Sequence, residues 1–374
     1  MVQTRRVFLA AGLAFIFGLT FSTGPRAAAR TELPAKLTDA EFWKLVEDFS
    51  EANGSFRSDN LLSNELWFQT IIPDLLNLVK PGGVYLGVGP EQNFSYIAAL
   101  KPSMVFIVDI RRGNLHTQLM YKALFELAAT RADFVSLLFA RKRPDGLSAS
   151  SSVQDIFNAV AAAPASEEIY KEHYKKVIDH LTKTRALPLP AEDLGGIDYV
   201  YRNFFTFGPS INYNSSTSGG IGRAGTTYQA LMTTTDSVGQ ARSYLASEAL
   251  FGVLKDLETR NLVVPLVGDF AGPKAIRSVG RYVKDKDASA AVAAFYLSNV
   301  EQYLNQNGVW QLFCNNVASL PLNAQSTFIY SQGGQGGRGG GGGGGGLASW
   351  YRPMLADVKS SNCAASAPAS GTGR

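Results

Sequence analysis

The stretch GGVYLGVGPEQNFSYIAALKPSMVFIVDIRRGN, residues 82–114, constrains this chain more than any other. Two apolar runs, 84–88 and 104–109, show no polar alternation, as expected of strands covered on both faces in a parallel sheet. Between them the turn Gly87-Val88-Gly89 opens a helix expected over 93–100. Glycines at the end of a parallel strand let the backbone approach a ligand closely, and the next helix turns its N-terminus toward it. Twenty residues after Gly89, Asp109 ends the second strand, where a carboxylate can accept both hydroxyls of a ribose.

The rhythm returns late in the chain. A helix from 237 to 257, a strand in LVVPLVGDF, a helix over 275–283, a strand in AAVAAFYLSN, a helix from near Val300 and a strand in STFIYS succeed one another. Asp269 and the pair Ser298 and Asn299 then fall at strand ends that face the same crevice as Gly89 and Asp109. Plainer readings stand beside these. Asp109 could cap the next helix or pair with Arg111 or Arg112, and Asp269, Ser298 and Asn299 could be helix caps. Upstream, Thr38 and Glu41 match a capping box for a helix carrying Phe42, Leu45, Val46 and Phe49. SNELWFQTIIPDLLNLV reads as a second amphipathic helix, bent or broken at Pro73. Residues 141–236 interrupt the strand-helix rhythm with helical stretches and the polar loop FGPSINYNSSTSGGIGRAGTTY. The expectation is an α/β, three-layer, Rossmann-like domain over 30–332, with a mostly parallel sheet and a helical and loop insertion after the second strand.

Two ends frame that domain. Residues 333–346 are glycine-rich and read as a flexible linker, and 347–374 as a disordered tail in which LASWYRPMLADV could dock as a short helix. Residues 1–29 read as an export signal: Arg5-Arg6, an apolar run of 15 residues over 7–21, then Ala27-Ala28-Ala29. Such a run is shorter than the ~20 residues that span a bilayer. The order Thr4-Arg5-Arg6-Val7-Phe8-Leu9 resembles the twin-arginine consensus. It implies passage through the twin-arginine machinery, no membrane span after cleavage, and a periplasmic or secreted product; an uncleaved anchor is the alternative.

A formal charge of +4 with no dense Lys/Arg stripe argues against nucleic-acid binding. Cys314 and Cys363 lack metal-ligand spacing; they could form a disulfide or be two small apolar residues. His173 and His180 share a helical face without a third ligand, so no metal site is expected. His116 could border the crevice. Arg202, Tyr213, Asn214 and Arg223 could form a lid over it or be plain loop residues. No Gly-x-Ser-x-Gly elbow is present.

Over 84–130 and 237–331 the chain resembles the class I S-adenosylmethionine-dependent methyltransferases. The resemblance implies S-adenosylmethionine as cofactor, with Gly87 and Gly89 at its methionine part, Asp109 on the ribose, Asp269 near adenine, and Ser298 and Asn299 toward the acceptor. It also implies in-line methyl transfer, in which the protein mainly positions the reactants, with Ser298, Asn299 or His116 near the acceptor. Two positions depart from the pattern. Tyr85 stands where the family usually has an acid, and Glu91 stands at the third glycine position. Negative charge at a helix N-terminus would repel a phosphate, so a dinucleotide is disfavoured and a zwitterionic or cationic small ligand remains open. The stretches RNLVVPLVGDFAGPKAIRSVGRY and FYLSNVEQYL also look like a group of uncharacterised bacterial proteins. The alternative function is an exported, non-enzymatic binding or structural protein that keeps the fold without the cofactor.

Overall fold

Strands β1 (Val84–Gly87), β2 (Met104–Asp109), β3 (Val263–Val267), β4 (Val292–Ser298), β5 (Thr327–Gly333) and β6 (Leu347–Pro353) form one sheet in the computed structural model. Their order is β3-β2-β1-β4-β5-β6. Every neighbouring pair is parallel except β5 with β6. The structure describes residues 1–2, 32–215, 225–333 and 347–360. The chain divides into Met1–Arg30 and Thr31–Arg374, and the sheet and its helices belong to the second unit. The expected export signal, but for its first two residues, and the glycine run 339–346 lie outside the described residues.

The sheet follows from side-chain type. Strands β1, β2 and β3 are buried along their whole length, which only uninterrupted apolar runs permit. Pro265 sits within β3 because β3 is the sheet's edge: it pairs with β2 alone, through Ile107 and its neighbours.

Around the sheet run α1 (Asp39–Phe49), α2 (Ile72–Leu78), α3 (Gln92–Leu100) and α4 (Arg112–Leu127). After α5 (Arg131–Leu138), the insertion supplies α6 (Val153–Ala162), α7 (Glu167–Asp179), α8 (Ala191–Phe207) and α9 (Tyr228–Thr233). After it come α10 (Glu248–Thr259), α11 (Ala275–Lys286), α12 (Val300–Gln306), α13 (Trp310–Ala318) and α14 (Met354–Lys359). The capping box at the start of α1 forms in both directions, between Thr38 and Glu41. Among the described residues no helix is long and apolar enough to cross a membrane.

The insertion is a packed body rather than a lid. Its helix α8 lies along α4, and its rings join one aromatic core with the sheet's helices. Phe94 of α3 meets Tyr121 of α4 edge-on at 5.0 Å, and Phe204 of α8 meets the same Tyr121 edge-on at 6.0 Å. Helix–helix burial of this kind holds the insertion against the sheet.

Three expectations are corrected. SNELW forms no helix; a 3₁₀ turn (Phe68–Ile71) leads into α2, and Pro73 lies in that helix's first turn, where its missing N–H costs nothing. Residues 237–247 are not helical, because Asp236 Oδ1 accepts from the Val238 and Gln240 amides and fixes a turn. The first part of the expected tail is ordered: β6 pairs antiparallel with β5 from Leu347 to Pro353, and α14 succeeds it. Cys314 is disulfide-bonded, and Cys363 lies outside the described residues.

Candidate functional site

The carboxyl ends of β1 to β4 open onto a cavity of about 230 Å³. Each strand contributes residues at or just beyond its end: Gly89 and Pro90 after β1, Asp109 and Arg111 at β2, Asp269 and Phe270 after β3, Tyr296, Ser298 and Asn299 at β4. Parallel strands all end on one edge, so strand-end residues up to 210 positions apart in the chain (Asn299 minus Gly89) line one cavity. Residues 55–64 roof the cavity. Phe56 packs edge-on against Tyr303 of α12 at 5.1 Å, and Arg57 donates to the Tyr303 hydroxyl at 2.9 Å, fastening the roof down. Of the expected lid residues that the structure describes, Tyr213 alone lines this cavity.

Five of the six expected site residues therefore converge. Gly89 takes φ +75°, the left-handed region where a side chain would be strained. Asp109 is buried, and its two oxygens accept from the Arg111 backbone amide (2.9 Å) and guanidinium (3.2 Å). Arg111 also donates to the Asp59 carbonyl, so the ion pair ties the roof to β2. Asp269 Oδ1 accepts from the Ala271 amide at 2.9 Å, while its Oδ2 has no protein partner among the described residues. Neither Ser298 nor Asn299 caps α12 through its side chain. Gly87 is the exception. It lies beside the cavity wall, and its lack of a side chain makes room for Asn93, whose Oδ1 would sit 1.9 Å from a Cβ there.

Asn93 fills the glycine turn. Its amide donates to the carbonyls of Val88, Gly89 and Pro90, and its oxygen accepts from the Tyr85 hydroxyl at 3.0 Å. The inside of the glycine turn is thus filled by the protein's own side chain, while Gly89 and Pro90 still line the cavity. Glu91 does not cap α3. It is fully buried, accepts from the Ser63 amide at 3.1 Å, and burial raises its pKa to about 8, so at neutral pH it is mainly uncharged. The sequence expectation of an anionic Glu91 at this turn is weakened by that upward shift. At the start of α11 a carboxylate from another segment occupies the donors: Glu51 accepts from the amides of Asp269, Lys274 and Ala275 at 2.8–3.1 Å.

Sequence reasoning missed Glu65. This carboxylate is fully buried and accepts four side-chain hydrogen bonds, from Tyr296 (2.7 Å), Ser298 (2.6 Å), Gln92 (2.6 Å) and Ser349 (3.2 Å). Two of the donors, Tyr296 and Ser298, line the cavity, so Glu65 lies directly behind its wall.

Other candidates fall elsewhere. His116 lines a neighbouring cavity that shares Ser55, Phe56 and Arg111 with the first, and its Nε2 lies 2.8 Å from the buried Asp193, which Arg112 also holds. Arg202 pairs with Glu167 and stacks over Tyr170, Asn214 donates its amide to Asn212, and Arg223 lies outside the described residues. His180 pairs with Glu126, and among the described residues no group of three His, Cys, Asp or Glu could hold a metal ion.

Fold and cavity together define an α/β protein with a ligand-sized chamber at the carboxyl edge of a mostly parallel sheet. The chain belongs to the family described as Domain of unknown function (DUF7790), which matches residues 61–187 and 221–336. The matched stretches carry Glu65, Asp109, Asp269, Ser298 and Asn299; Tyr213 falls between them. No curated protein matches the chain.

Proposed function

We propose that this chamber binds a small nucleoside-type ligand that is neutral or cationic. The observation that carries the reading is the placement of two carboxylates, Asp109 and Asp269, on adjacent strand ends in one cavity with the rings of Phe56, Tyr213, Phe270, Tyr296 and Tyr303. Asp109 keeps one acceptor lone pair on each oxygen after its bonds to Arg111, and Asp269 keeps a whole oxygen, which suits ribose and amine donors. Arg111, the one cation among the described wall residues, is already neutralised by Asp109, so an anionic ligand gains nothing from it. Aromatic faces favour a positively charged centre.

S-adenosylmethionine is the first ligand to try. The strand order and the likeness of 84–130 and 237–331 to the three-layer, Rossmann-like methyltransferases support it, and a bound sulfonium would supply a methyl group to an acceptor. Residues at the nucleoside end fit this ligand. Those at the methionine end fit poorly, because Asn93 fills the turn. That filled turn favours a second reading: an exported binding protein, released to the periplasm or outside the cell by the twin-arginine route, that retains the fold without methyl transfer.

Thermal denaturation with adenosine, S-adenosylmethionine, its demethylated product and ATP, each at about millimolar concentration, tests the proposal, since a ligand that binds only the folded chain raises the melting temperature by mass action. Adenosine and S-adenosylmethionine should stabilise, and ATP should not. Asp109→Asn should weaken the stabilisation by about 1–3 kcal/mol of binding energy. No shift with any nucleoside overturns the reading.

A further inference from the structure

The geometry points to a second activity of the same chamber: Ser298 is a nucleophile with Glu65 as its general base, acting on small neutral or cationic esters. Ser298 ends β4 at φ +50°, in the left-handed region, at a sharp turn between strand and helix. A non-glycine residue held there is strained, and such strain persists where the surroundings fix the residue for a purpose. The turn places Ser298, half-buried, in the cavity wall. No capping duty explains it, because α12 takes no hydrogen bond from this side chain.

Its partner is Glu65 Oε1, 2.6 Å from the serine Oγ. Glu65 is locked in place: Tyr296 shares Oε1, and Gln92 and Ser349 hold Oε2. Such orientation of the base by further groups is what nucleophile and base pairs need. Asn64 and Asn299 line the same cavity, and their side-chain amides are the candidate donors for a developing oxyanion. In the step itself, Ser298 Oγ bonds to the ester carbonyl carbon and its proton passes to Glu65. Collapse breaks the bond to the alcohol oxygen, which takes that proton and leaves. Water then attacks the acyl-serine, giving its proton to Glu65, and the acid departs as the serine regains it. Asp109 and Asp269 in the same chamber disfavour anionic esters.

Nucleophilic reactivity at Ser298 does not depend on nucleoside binding and has its own readout. Incubation of the full chain with a small uncharged fluorophosphonate, then intact mass and peptide mapping, should show one phosphonyl group on Ser298, formed as the oxygen–phosphorus bond replaces the phosphorus–fluorine bond. Ser298→Ala should abolish the adduct. Glu65→Gln should slow labelling about 100-fold, the scale of general-base help. Should Glu65→Gln fail to fold, Glu65→Asp, which withdraws the carboxylate by one methylene, should also slow it by about tenfold or more. Wild-type protein that stays unlabelled at Ser298, or labels there no faster than its surface serines, overturns the proposal. So does a folded Glu65→Gln variant that labels at the wild-type rate.

Discussion

Two glutamates without solvent exposure lie in different parts of this molecule and differ in what replaces water around them. Glu65, behind the cavity wall, accepts four hydrogen bonds. Glu258, at the end of α10, accepts none at either oxygen among the described residues, although the Lys122 ammonium stands 4.0 Å away. Lys122 spends its protons instead on the Glu258 backbone carbonyl, at 2.6 Å, and on an ion pair with Glu126. Burial therefore raises the Glu258 pKa to about 8 against the pull of Lys122. At Glu258 no donor among the described residues replaces the water lost on burial, so desolvation sets the direction of its shift.

The largest effect expected from this contrast is at Glu65. Glu65→Leu takes this acceptor from three buried donors and from the half-buried Ser298, and should cost about 3–5 kcal/mol of stability, read by urea denaturation. A loss below about 1 kcal/mol would mean that water replaces the carboxylate freely.

Glu258 should reveal itself through pH. Its carboxyl ionises at the ordinary value of 4.5 when exposed on unfolding and only near 8 when folded. Folding then takes up a proton between those values. The stabilisation is complete below about pH 4.5 and is lost as pH rises toward 8, by roughly 1.4 kcal/mol per pH unit. Glu91 is shifted in the same direction and adds to the slope. Glu258→Gln should flatten the dependence by that one share, measured by denaturation between about pH 5 and 8. An unchanged slope would show that Glu258 is ionised in the fold.

The smallest effect sharpens the first. Ser349→Ala removes the longest of the four bonds to Glu65, at 3.2 Å, and should cost about 1 kcal/mol. A cost equal to that of Glu65→Leu would place the stability in β6 rather than in the carboxylate.

Much of this arrangement is legible in the sequence, for a simple reason. In a parallel sheet the carboxyl ends of the strands share an edge, so apolar runs that end in Asp109, Asp269, and Ser298 with Asn299 bring those residues together. Glu65 is not legible. Its segment LLSNELWFQ has apolar residues at a spacing that suits a helix, and nothing local announces that a carboxylate will turn inward toward donors from β4, α3 and β6. Asn93 escapes for a related reason: at the start of a helical stretch nothing local shows that the turn before it will close over its side chain. The strand β6 comes after a glycine run, and composition there suggests disorder, whereas pairing with β5 buries Ser349. Pro265 does carry a usable signal, since a proline inside an apolar strand marks the edge of a sheet.

The donors to Glu65 come from positions 92, 296, 298 and 349, so the acceptor is made early and its last donor late. During synthesis the chain must carry this carboxylate through some 230 residues before the second donor emerges (296 minus 65 is 231), and through more than 280 before the last (349 minus 65 is 284). Contacts of such long sequence separation form late and slowly. A ribosome-bound chain therefore holds a hydrated Glu65 and no finished cavity wall, and the chamber becomes complete only after nearly the whole polypeptide has been made.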